Sequence, residues 1–326
     1  MAKPLISIII PAYNRADLIV ETLDSVSKQS FQDWECLVVD DGSEDDTVHV
    51  VQQFMENDKR FRFFKRPDEF KNGGSGAKNY GIQQSEGKYL MFLDSDDLYD
   101  VNFVEEQVKK ISGEPETTIC FSKYYTFRQD VSDAKKENPG FFRDFPDVND
   151  YVKYYCLNGY AFYTACLIAA KTLVEKAGGW NEDLTINDDG EFLINVALTA
   201  KKILFTENAT VYYRVNPSGK MLYEYPEKAD HILDSLKLIS NHIMSRADFE
   251  NKPAYCATLF VHLKFLYPDN KEVWQKADQE IEHLGGKHFY IHDDALFNSI
   301  WKVFGLSSAF LYRRIRNYSR KHLKTA

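Results

Sequence analysis

Three aspartates, Asp94, Asp96 and Asp97, follow directly on an apolar run over residues 89–93. Five apolar residues closed by polar ones predict a buried central strand. Carboxylates crowded at the end of such a strand repel one another and resist the loss of water. A divalent cation would relieve that repulsion, because Mg²⁺ and Mn²⁺ bind carboxylate and phosphate oxygens. The alternative is a strand that runs into an acidic loop capping a helix over residues 101–111.

Polar residues also follow the first two predicted strands. Residues 5–10 are mainly isoleucine and predict a buried strand that Pro11 stops, and residues 34–39 predict a second strand that ends in Asp40 and Asp41. Ligands of open parallel sheets bind beyond the carboxyl ends of the strands. We therefore expect Tyr13, Asn14 and Arg15 to share one crevice with Asp40, Asp41 and the three later aspartates. The convergence of polar residues from three strand ends on one crevice predicts a nucleotide–metal site.

The elements that must position these residues alternate between strand and helix. Apolar residues recur at helical spacing after residues 18 and 47, with Asp45 or Asp46 as the cap of the second helix, and a short third strand covers residues 61–64. A Gly-rich turn at residues 72–76 opens a helix to about residue 85. This order is typical of a doubly wound α/β sheet with helices on both faces. Neither G-x-G-x-x-G after the first strand nor G-x-x-x-x-G-K-[ST] occurs, which excludes a dinucleotide Rossmann site and a P-loop.

The alternation of strand and helix becomes less regular after residue 100. We predict helices over 101–111, 147–157 and 171–177 and one that ends at Ala200, strands over 118–127, 162–170, 203–205 and 209–215, and loops over 128–139 and 216–220. Helices then dominate, over 227–244, 254–266, 271–284 and 304–323. We expect one α/β domain over residues 1–220, with a change of pattern at about residue 100. Residues 221–326 are expected to form a helical C-terminal appendage.

Composition bounds the class of protein. The chain has 326 residues and a net charge of −9, which argues against general nucleic-acid binding. Five scattered cysteines without a C-x-x-C pair favour reduced structural thiols and a cytoplasmic location. No signal peptide is expected, and the longest weakly polar stretch, residues 160–170, is shorter than the roughly 20 residues of a membrane span.

The last predicted helix carries a local basic patch on an otherwise acidic chain. It has two interpretations: peripheral contact with the inner face of a membrane, or a solvated helix that packs its apolar side on the domain. The basic residues are Arg313, Arg314, Arg316, Arg320, Lys321 and Lys324.

Four motifs together resemble the family 2 glycosyltransferases of the GT-A fold. They are Pro-Ala-Tyr-Asn-Arg at 11–15, Val-Asp-Asp-Gly-Ser at 39–43, Gly-Ala-Lys-Asn-Tyr-Gly at 76–81 and Leu-Asp-Ser-Asp-Asp at 93–97, in the family's order and spacing. The resemblance covers about residues 4–220. It implies a GT-A glycosyltransferase domain over residues 1–220, with a nucleotide-sugar half at about 1–100 and an acceptor half at about 101–220. It implies a metal-dependent, inverting enzyme that moves a sugar from a nucleotide diphosphate donor, with UDP-sugar favoured, to a hydroxyl of a saccharide or lipid-linked acceptor. The implied setting is synthesis of a surface polysaccharide or glycoconjugate.

The resemblance also implies roles for single residues. Tyr13 would lie against the base, Asp41 would accept a hydrogen bond from a ring N–H, and Lys78 would reach the diphosphate. Asp94 would hold the ribose or a metal-bound water, and Asp96, with Asp94 as its partner, would bind Mn²⁺ or Mg²⁺. The implied donor-binding residues are Pro11, Ala12, Tyr13, Asn14, Arg15, Asp41, Lys78, Asp94 and Ser95. Asp97 is expected beside the site or as the N-cap of the next helix. The alternatives are a loop aromatic packed on the core for Tyr13, a turn residue for Asp41 and a solvated lysine for Lys78.

A second acidic pair, Asp188 and Asp189, lies nearly a hundred residues later. The resemblance makes Asp189 the catalytic base, which takes the proton of the acceptor hydroxyl as the sugar is transferred. An ordinary helix N-cap is the alternative for either residue. The chain departs from the family at Gly190, where an aromatic residue is common, at Asn195, where an arginine is common, and after Arg214, where many members have a histidine. Lys220 could approach the diphosphate or be a plain surface lysine. A sugar-phosphate nucleotidyltransferase and an inactive sugar-nucleotide-binding protein therefore remain as competing functions.

Overall fold

The computed structural model describes residues 3–136, 140–159, 162–215, 226–267 and 270–285. The strands within these ranges are β1 (Ile6–Ala12), β2 (Trp34–Asp40), β3 (Phe61–Lys65), β4 (Tyr89–Phe92), β5 (Leu98–Tyr99), β6 (Thr118–Phe127), β7 (Lys135–Lys136), β8 (Leu167–Ala170) and β9 (Lys202–Arg214). They form one sheet with the order β3-β2-β1-β4-β8-β6-β9-β5, and β7 pairs with β6.

Helices flank this sheet. They are α1 (Ile19–Ser27), α2 (Thr47–Asn57), α3 (Gly74–Gln84), α4 (Phe103–Ile111), α5 (Val148–Asn158), α6 (Lys171–Ala177), α7 (Asp188–Thr199), α8 (Ala229–Arg246), α9 (Lys252–Leu266) and α10 (Lys271–His283). Short 3-10 helices occur at Val131–Asp133, Thr164–Cys166 and Pro226–Lys228. The predicted α/β sheet with helices on both faces and helices in the C-terminal part is confirmed.

The first half of the sheet is parallel. β1 pairs in parallel with both β2 and β4, and β2 pairs in parallel with β3. Every residue of β2 and β4 is buried, as expected of central strands covered on both faces. The carboxyl ends of β1, β2 and β4 therefore lie at the same edge of the sheet.

The prediction that Pro11 stops the first strand is wrong, because β1 continues to Ala12 and Pro11 pairs with Val39 of β2. The carbonyl of Ile9 accepts from Leu93 on the β4 side, whereas that of Ala12 accepts from Asp41 on the β2 side. By alternation, Pro11 faces the β4 side beyond the end of β4. A missing N–H is tolerated there, since no ladder hydrogen bond is lost.

The second half of the sheet differs from the prediction in its details. The two strands expected over 203–205 and 209–215 are one strand, β9, which pairs in parallel with β6 and shifts register between Ser122 and Lys123. The expected strand over 162–170 begins only at Leu167, after a 3-10 turn. The expected loop over 128–139 contains a 3-10 turn and β7. The chain also forms the unpredicted β5, which pairs antiparallel with β9.

A single cluster of buried apolar side chains extends from Ile6 in β1 to Ile281 in α10, so α8, α9 and α10 share the core of the sheet. The division at residue 220 stays a prediction. All five cysteines are buried with free thiols, as expected. No helix in the described ranges is both long and apolar enough to cross a membrane. The basic helix over 304–323 and Lys220 lie outside the described residues.

Candidate active site

A polar cleft of about 360 Å³ opens at the carboxyl ends of β1, β2 and β4. It contains residues from all three motifs that follow these strands, together with the end of β9. The lining residues are Pro11, Ala12, Tyr13, Arg15, Asp41, Gly74, Asp94, Ser95, Asp96, Tyr213 and Arg214. The structure thus brings together most of the residues that sequence reasoning assigned to donor binding.

Tyr13 and Asn14 differ in their relation to this cleft. Tyr13 is 51% exposed, so the alternative of an aromatic side chain packed on the core is wrong. Asn14 is outside the lining residues. It has a positive φ of 51°, and its side-chain oxygen accepts from the backbone N–H of Glu44 at 2.9 Å. Asn14 therefore joins the loop after β1 to the loop after β2.

Asp41 is held by two donors. Its Oδ1 accepts from Nε of the buried Arg66, and its Oδ2 accepts from the backbone N–H of Gly73 at 2.7 Å. The same guanidinium donates to the carbonyl of Phe70 and to the side chain of Asn72. Arg66 thereby fixes the carboxylate and the loop that leads to α3 in one arrangement.

The acids after β4 have three different surroundings. Asp94 lines the cleft beside Lys78, and Asp96 Oδ2 lies 3.7 Å from Nε of Arg15. Burial, followed by the charge of Asp94, raises the pKa of Asp96 above its usual value. A bound cation would offset the negative charge that Asp94 places beside Asp96.

Asp97 is buried and accepts from the backbone N–H of Arg214 at 2.8 Å. Burial raises the pKa of Asp97 well above its usual value, with the charges of Asp94 and Asp96 adding to the effect. The prediction that Asp97 caps the next helix is wrong, because β5 intervenes and Asn102 is the N-cap of α4. Asp97 instead joins the loop after β4 to the end of β9.

The donor set of Asp94 and Asp96 fits Mg²⁺ or Mn²⁺. These ions are commonly bound through one or two carboxylates, with substrate phosphates and water as the other ligands. No group of three or more histidine, cysteine or acidic side chains arranged to hold a metal occurs among the residues that the structure describes. Among the described residues, Asp94 and Asp96 would hold such an ion through two carboxylates, with substrate phosphates and water as further ligands.

Lys78 lies between the two acidic clusters. Its buried Nζ is 3.6 Å from Asp94 Oδ1 and 3.6 Å from Asp189 Oδ1, and it lies 3.9 Å from the ring centroid of Trp180. Burial lowers the pKa of Lys78, but the carboxylates of Asp94, Asp189 and Asp188 outweigh that effect and raise it. The alternative of a solvated helix lysine is wrong.

The second acidic pair lies in the first turn of α7, after the N-cap Asn187. The alternative that either aspartate is the N-cap is therefore wrong. Asp188 Oδ2 accepts from Ser75 Oγ at 2.9 Å, and Asp189 faces Lys78. The pKa of Asp189 is raised to about 7: burial is the largest cause, the charge of Lys78 opposes the rise, and the charges of Asp188 and Asp94 add to it. A carboxylate with a pKa near neutrality can accept a proton efficiently as a general base.

Two departures from the family pattern have local explanations. A Cβ at Gly190 would clash with the side-chain oxygen of Asn187 and lie 3.2 Å from the hydroxyl of Tyr155, so a larger side chain would require the Asn187 side chain to move. Asn195 lies where family members often have an arginine. Here Arg246 of α8 donates to its side-chain oxygen, so a guanidinium reaches this part of α7 from another helix.

Sequence reasoning missed Arg66, Tyr213 and Arg214 as site residues. The signal in the sequence was that Arg66 follows the third predicted strand, as Asp41 follows the second. In the structure β3 pairs in parallel with β2, and Lys65 lies opposite Asp40. Arg214 donates from Nε to the carbonyl of Asp96 at 2.8 Å. It reaches the cleft because β9 pairs with β5, the strand that follows the three aspartates, and no local pattern reports that pairing.

Comparison with known proteins finds one matching family model and several curated relatives. A model of the family "Glycosyl transferase family 2" matches residues 7–168. The chain is 29% identical over 203 residues to the glycosyltransferase GlyG of Streptococcus pneumoniae, which covers 62% of this chain and 58% of that protein. It is 36% identical over 134 residues to the putative teichuronic acid biosynthesis glycosyltransferase TuaG of Bacillus subtilis, covering 41% of this chain and 52% of that protein. Both matches span less than two thirds of the relative's length.

A solved structure shares the fold. The structure of S. aureus TarS 1-349 in complex with UDP-GlcNAc aligns with a TM-score of 0.68 at 19% identity, covering 98% of this chain and 92% of that one.

Proposed function

We propose that this chain, a member of glycosyltransferase family 2 with the GT-A fold, moves a sugar from a nucleotide diphosphate donor to a hydroxyl acceptor with inversion at the anomeric carbon. The observation that carries the proposal is the arrangement of Asp94, Lys78 and Asp189. Lys78 contacts both carboxylates at 3.6 Å, so the predicted donor site and the predicted base adjoin each other.

The donor is a UDP-sugar in this proposal. Tyr13 offers an exposed aromatic face for the base, and Asp41, held by Arg66 and Gly73, offers carboxylate oxygens to a ring N–H. A carboxylate only accepts hydrogen bonds, which favours a base with an N–H at that edge. The UDP-GlcNAc bound to the TarS structure supports this class of donor.

Asp94 and Asp96 would hold Mn²⁺ or Mg²⁺ together with the diphosphate. When bound, the ion supplies positive charge that stabilises the departing diphosphate. Lys78 contributes a second, fixed positive charge at the same place, because its ammonium group is buried beside Asp94.

Asp189 takes the proton of the acceptor hydroxyl while that oxygen attacks the anomeric carbon. The bond from the anomeric carbon to the diphosphate oxygen breaks, and its electron pair leaves with the nucleotide diphosphate. Lys78 holds the carboxylate in place, and its charge keeps the pKa of Asp189 from rising further. Inversion follows from a single displacement, with the base and the leaving group on opposite sides of the sugar ring.

The acceptor is a saccharide or lipid-linked hydroxyl in the assembly of a surface polysaccharide or glycoconjugate. The name of the relative TuaG, which refers to teichuronic acid biosynthesis, supports this setting.

A panel of sugar nucleotides with Mn²⁺ or Mg²⁺, assayed for release of nucleotide diphosphate in the presence of saccharide acceptors, tests the proposal. We expect release with one UDP-sugar and loss of release on chelation of the metal. Release of pyrophosphate from a nucleoside triphosphate and a sugar phosphate would instead identify a nucleotidyltransferase. Tight binding of a sugar nucleotide without turnover in any combination would identify an inactive binding protein.

A further inference from the structure

Helix α8 is joined to α7, the helix that begins with Asp188 and Asp189, at three levels. At the N-cap of α7, Asn187 donates to Ser235 Oγ at 2.8 Å. In its first turn, Glu191 Oε1 lies 2.7 Å from His242 Nε2. Further along, Arg246 donates to the side chains of Asn195 and Thr199. The partners advance together along both helices, so α8 runs beside α7 in the same direction.

The contact between Glu191 and His242 places a carboxyl group in an almost completely buried position. The side chain of Glu191 is 4% exposed, and its Oε2 has no hydrogen-bond partner among the described residues. A carboxylate only accepts, so His242 Nε2 is the donor in this pair. A buried carboxylate with one donor depends strongly on that donor, because removing it leaves the group without compensation for the loss of water.

The first turn of α7 is therefore held from two sides. Ser75 and Lys78 of α3 hold Asp188 and Asp189 on the side of the cleft. His242 of α8 holds Glu191, two residues after Asp189, on the side of the C-terminal helices. A shift of this turn would move the Asp189 carboxylate relative to Lys78 and Asp94.

We propose that His242 is a positioning residue for the transfer reaction: by its hydrogen bond to Glu191 it fixes the first turn of α7 and so the orientation of Asp189. The inference rests on the proposed role of Asp189 as base and extends it to the helical C-terminal region. On this account α8 belongs to the scaffold of the active site, although none of its residues lines the cleft described above.

The test compares His242→Leu with His242→Gln and with Lys237→Met in the full-length chain. Glutamine can place an N–H near the position of Nε2, whereas leucine cannot. Lys237→Met is the matched control, because Lys237 also lies on α8 but pairs with Glu280 of α10 at 3.1 Å. For each variant, kcat for sugar transfer, the Kd of UDP with Mn²⁺ and amide hydrogen exchange over residues 188–192 are measured.

We expect His242→Leu to lower kcat by about 10- to 100-fold, as a small misplacement of a reacting group does, with the Kd of UDP within twofold of wild type. Exchange over residues 188–192 should rise in the same variant. His242→Gln should recover most of kcat, and Lys237→Met should match wild type in all three measurements.

Three results would overturn the inference: unchanged exchange and kcat in His242→Leu, an equal loss of kcat and UDP affinity, or no recovery in His242→Gln. Failure of the proposed function has a different signature, since wild type itself would then release no nucleotide diphosphate. The exchange measurement still decides in that case whether His242 holds the turn.

Discussion

Lys78 Nζ lies 3.6 Å from Asp189 Oδ1, and the same ammonium group lies 3.6 Å from Asp94 Oδ1. One buried cation therefore joins a carboxylate at the end of β4 to a carboxylate at the start of α7. These residues are separated by nearly a hundred positions in the chain, yet both carboxylates contact the ammonium group of Lys78. In the proposed reaction this pair of contacts fixes the position of the base relative to the donor site.

The pH dependence of transfer should depend on Lys78. The pKa of Asp189 is about 7, and Lys78 lowers it, so wild-type kcat/KM should rise with pH to a plateau, with a midpoint near 7. Lys78→Met removes a cation that favours the ionised carboxylate, so the midpoint should move to higher pH and the plateau should fall. The measurement is kcat/KM from pH 5 to 9. Lys71→Met is the control, because Lys71 is 63% exposed and pairs with Asp183 at the surface. A midpoint that is unchanged in Lys78→Met would contradict the electrostatic role of Lys78.

Recognition of the nucleotide base should depend on Arg66. Arg66→Lys keeps the charge but loses the guanidinium fork that holds Asp41, Phe70 and Asn72 together. We expect the affinity for UDP to fall about 10-fold, which corresponds to the loss of one charge-assisted hydrogen bond. Isothermal titration calorimetry with UDP and Mn²⁺ measures this. Lys65→Met, at the neighbouring exposed position, should bind UDP as wild type does. Wild-type affinity in Arg66→Lys would show that the hold on Asp41 is dispensable.

The first turn of α3 should tolerate a methyl group at one glycine and reject it at another. A Cβ at Gly76 would lie 2.0 Å from the backbone carbonyl oxygen of Lys71, whereas a Cβ at Gly74 would have no atom within 4 Å. Gly76→Ala should therefore lower the free energy of unfolding by roughly 1–3 kcal/mol, as overpacking against a fixed neighbour does. Gly74→Ala should remain within about 0.5 kcal/mol of wild type. Urea denaturation of both variants checks the difference, and equal stabilities would refute the close approach.

Metal-dependent donor binding should depend on Asp96. Mn²⁺ should tighten the binding of UDP to wild type, because the proposed ion joins the diphosphate to Asp94 and Asp96. Asp96→Asn should bind UDP with the same affinity in the presence and absence of Mn²⁺. Asp68→Asn, which changes an exposed aspartate, is the control and should keep the full effect of the metal. A full metal effect in Asp96→Asn would exclude Asp96 as a ligand.

The parallel half of the sheet was predictable because its strands are continuous apolar runs that end in turn residues. β2 and β4 are buried throughout, and strands buried on both faces appear in the sequence as nearly continuous apolar runs. The gathering of Tyr13, Asp41 and Asp94 at one edge follows from the parallel order of β1, β2 and β4.

The remaining features depend on contacts that no local pattern reports. β5 has two residues and forms only by pairing with β9, and the continuity of β9 depends on a register shift against β6. The burial of Lys78 depends on Trp180 and on two acids from different parts of the chain. His242 reaches Glu191 because α8 packs along α7, so its role could not be read from its neighbours in sequence.

Asp189 is the proposed base of the glycosyl transfer. The most direct test is Asp189→Asn, assayed with the donor that wild type uses, for UDP affinity in the presence of Mn²⁺ and for release of nucleotide diphosphate with acceptor. Asparagine preserves the shape of the side chain but cannot take up the proton of the acceptor hydroxyl. We predict UDP affinity within about threefold of wild type and a loss of transfer of at least about 100-fold, in the range of a removed general base. Transfer at the wild-type rate by Asp189→Asn would contradict the account.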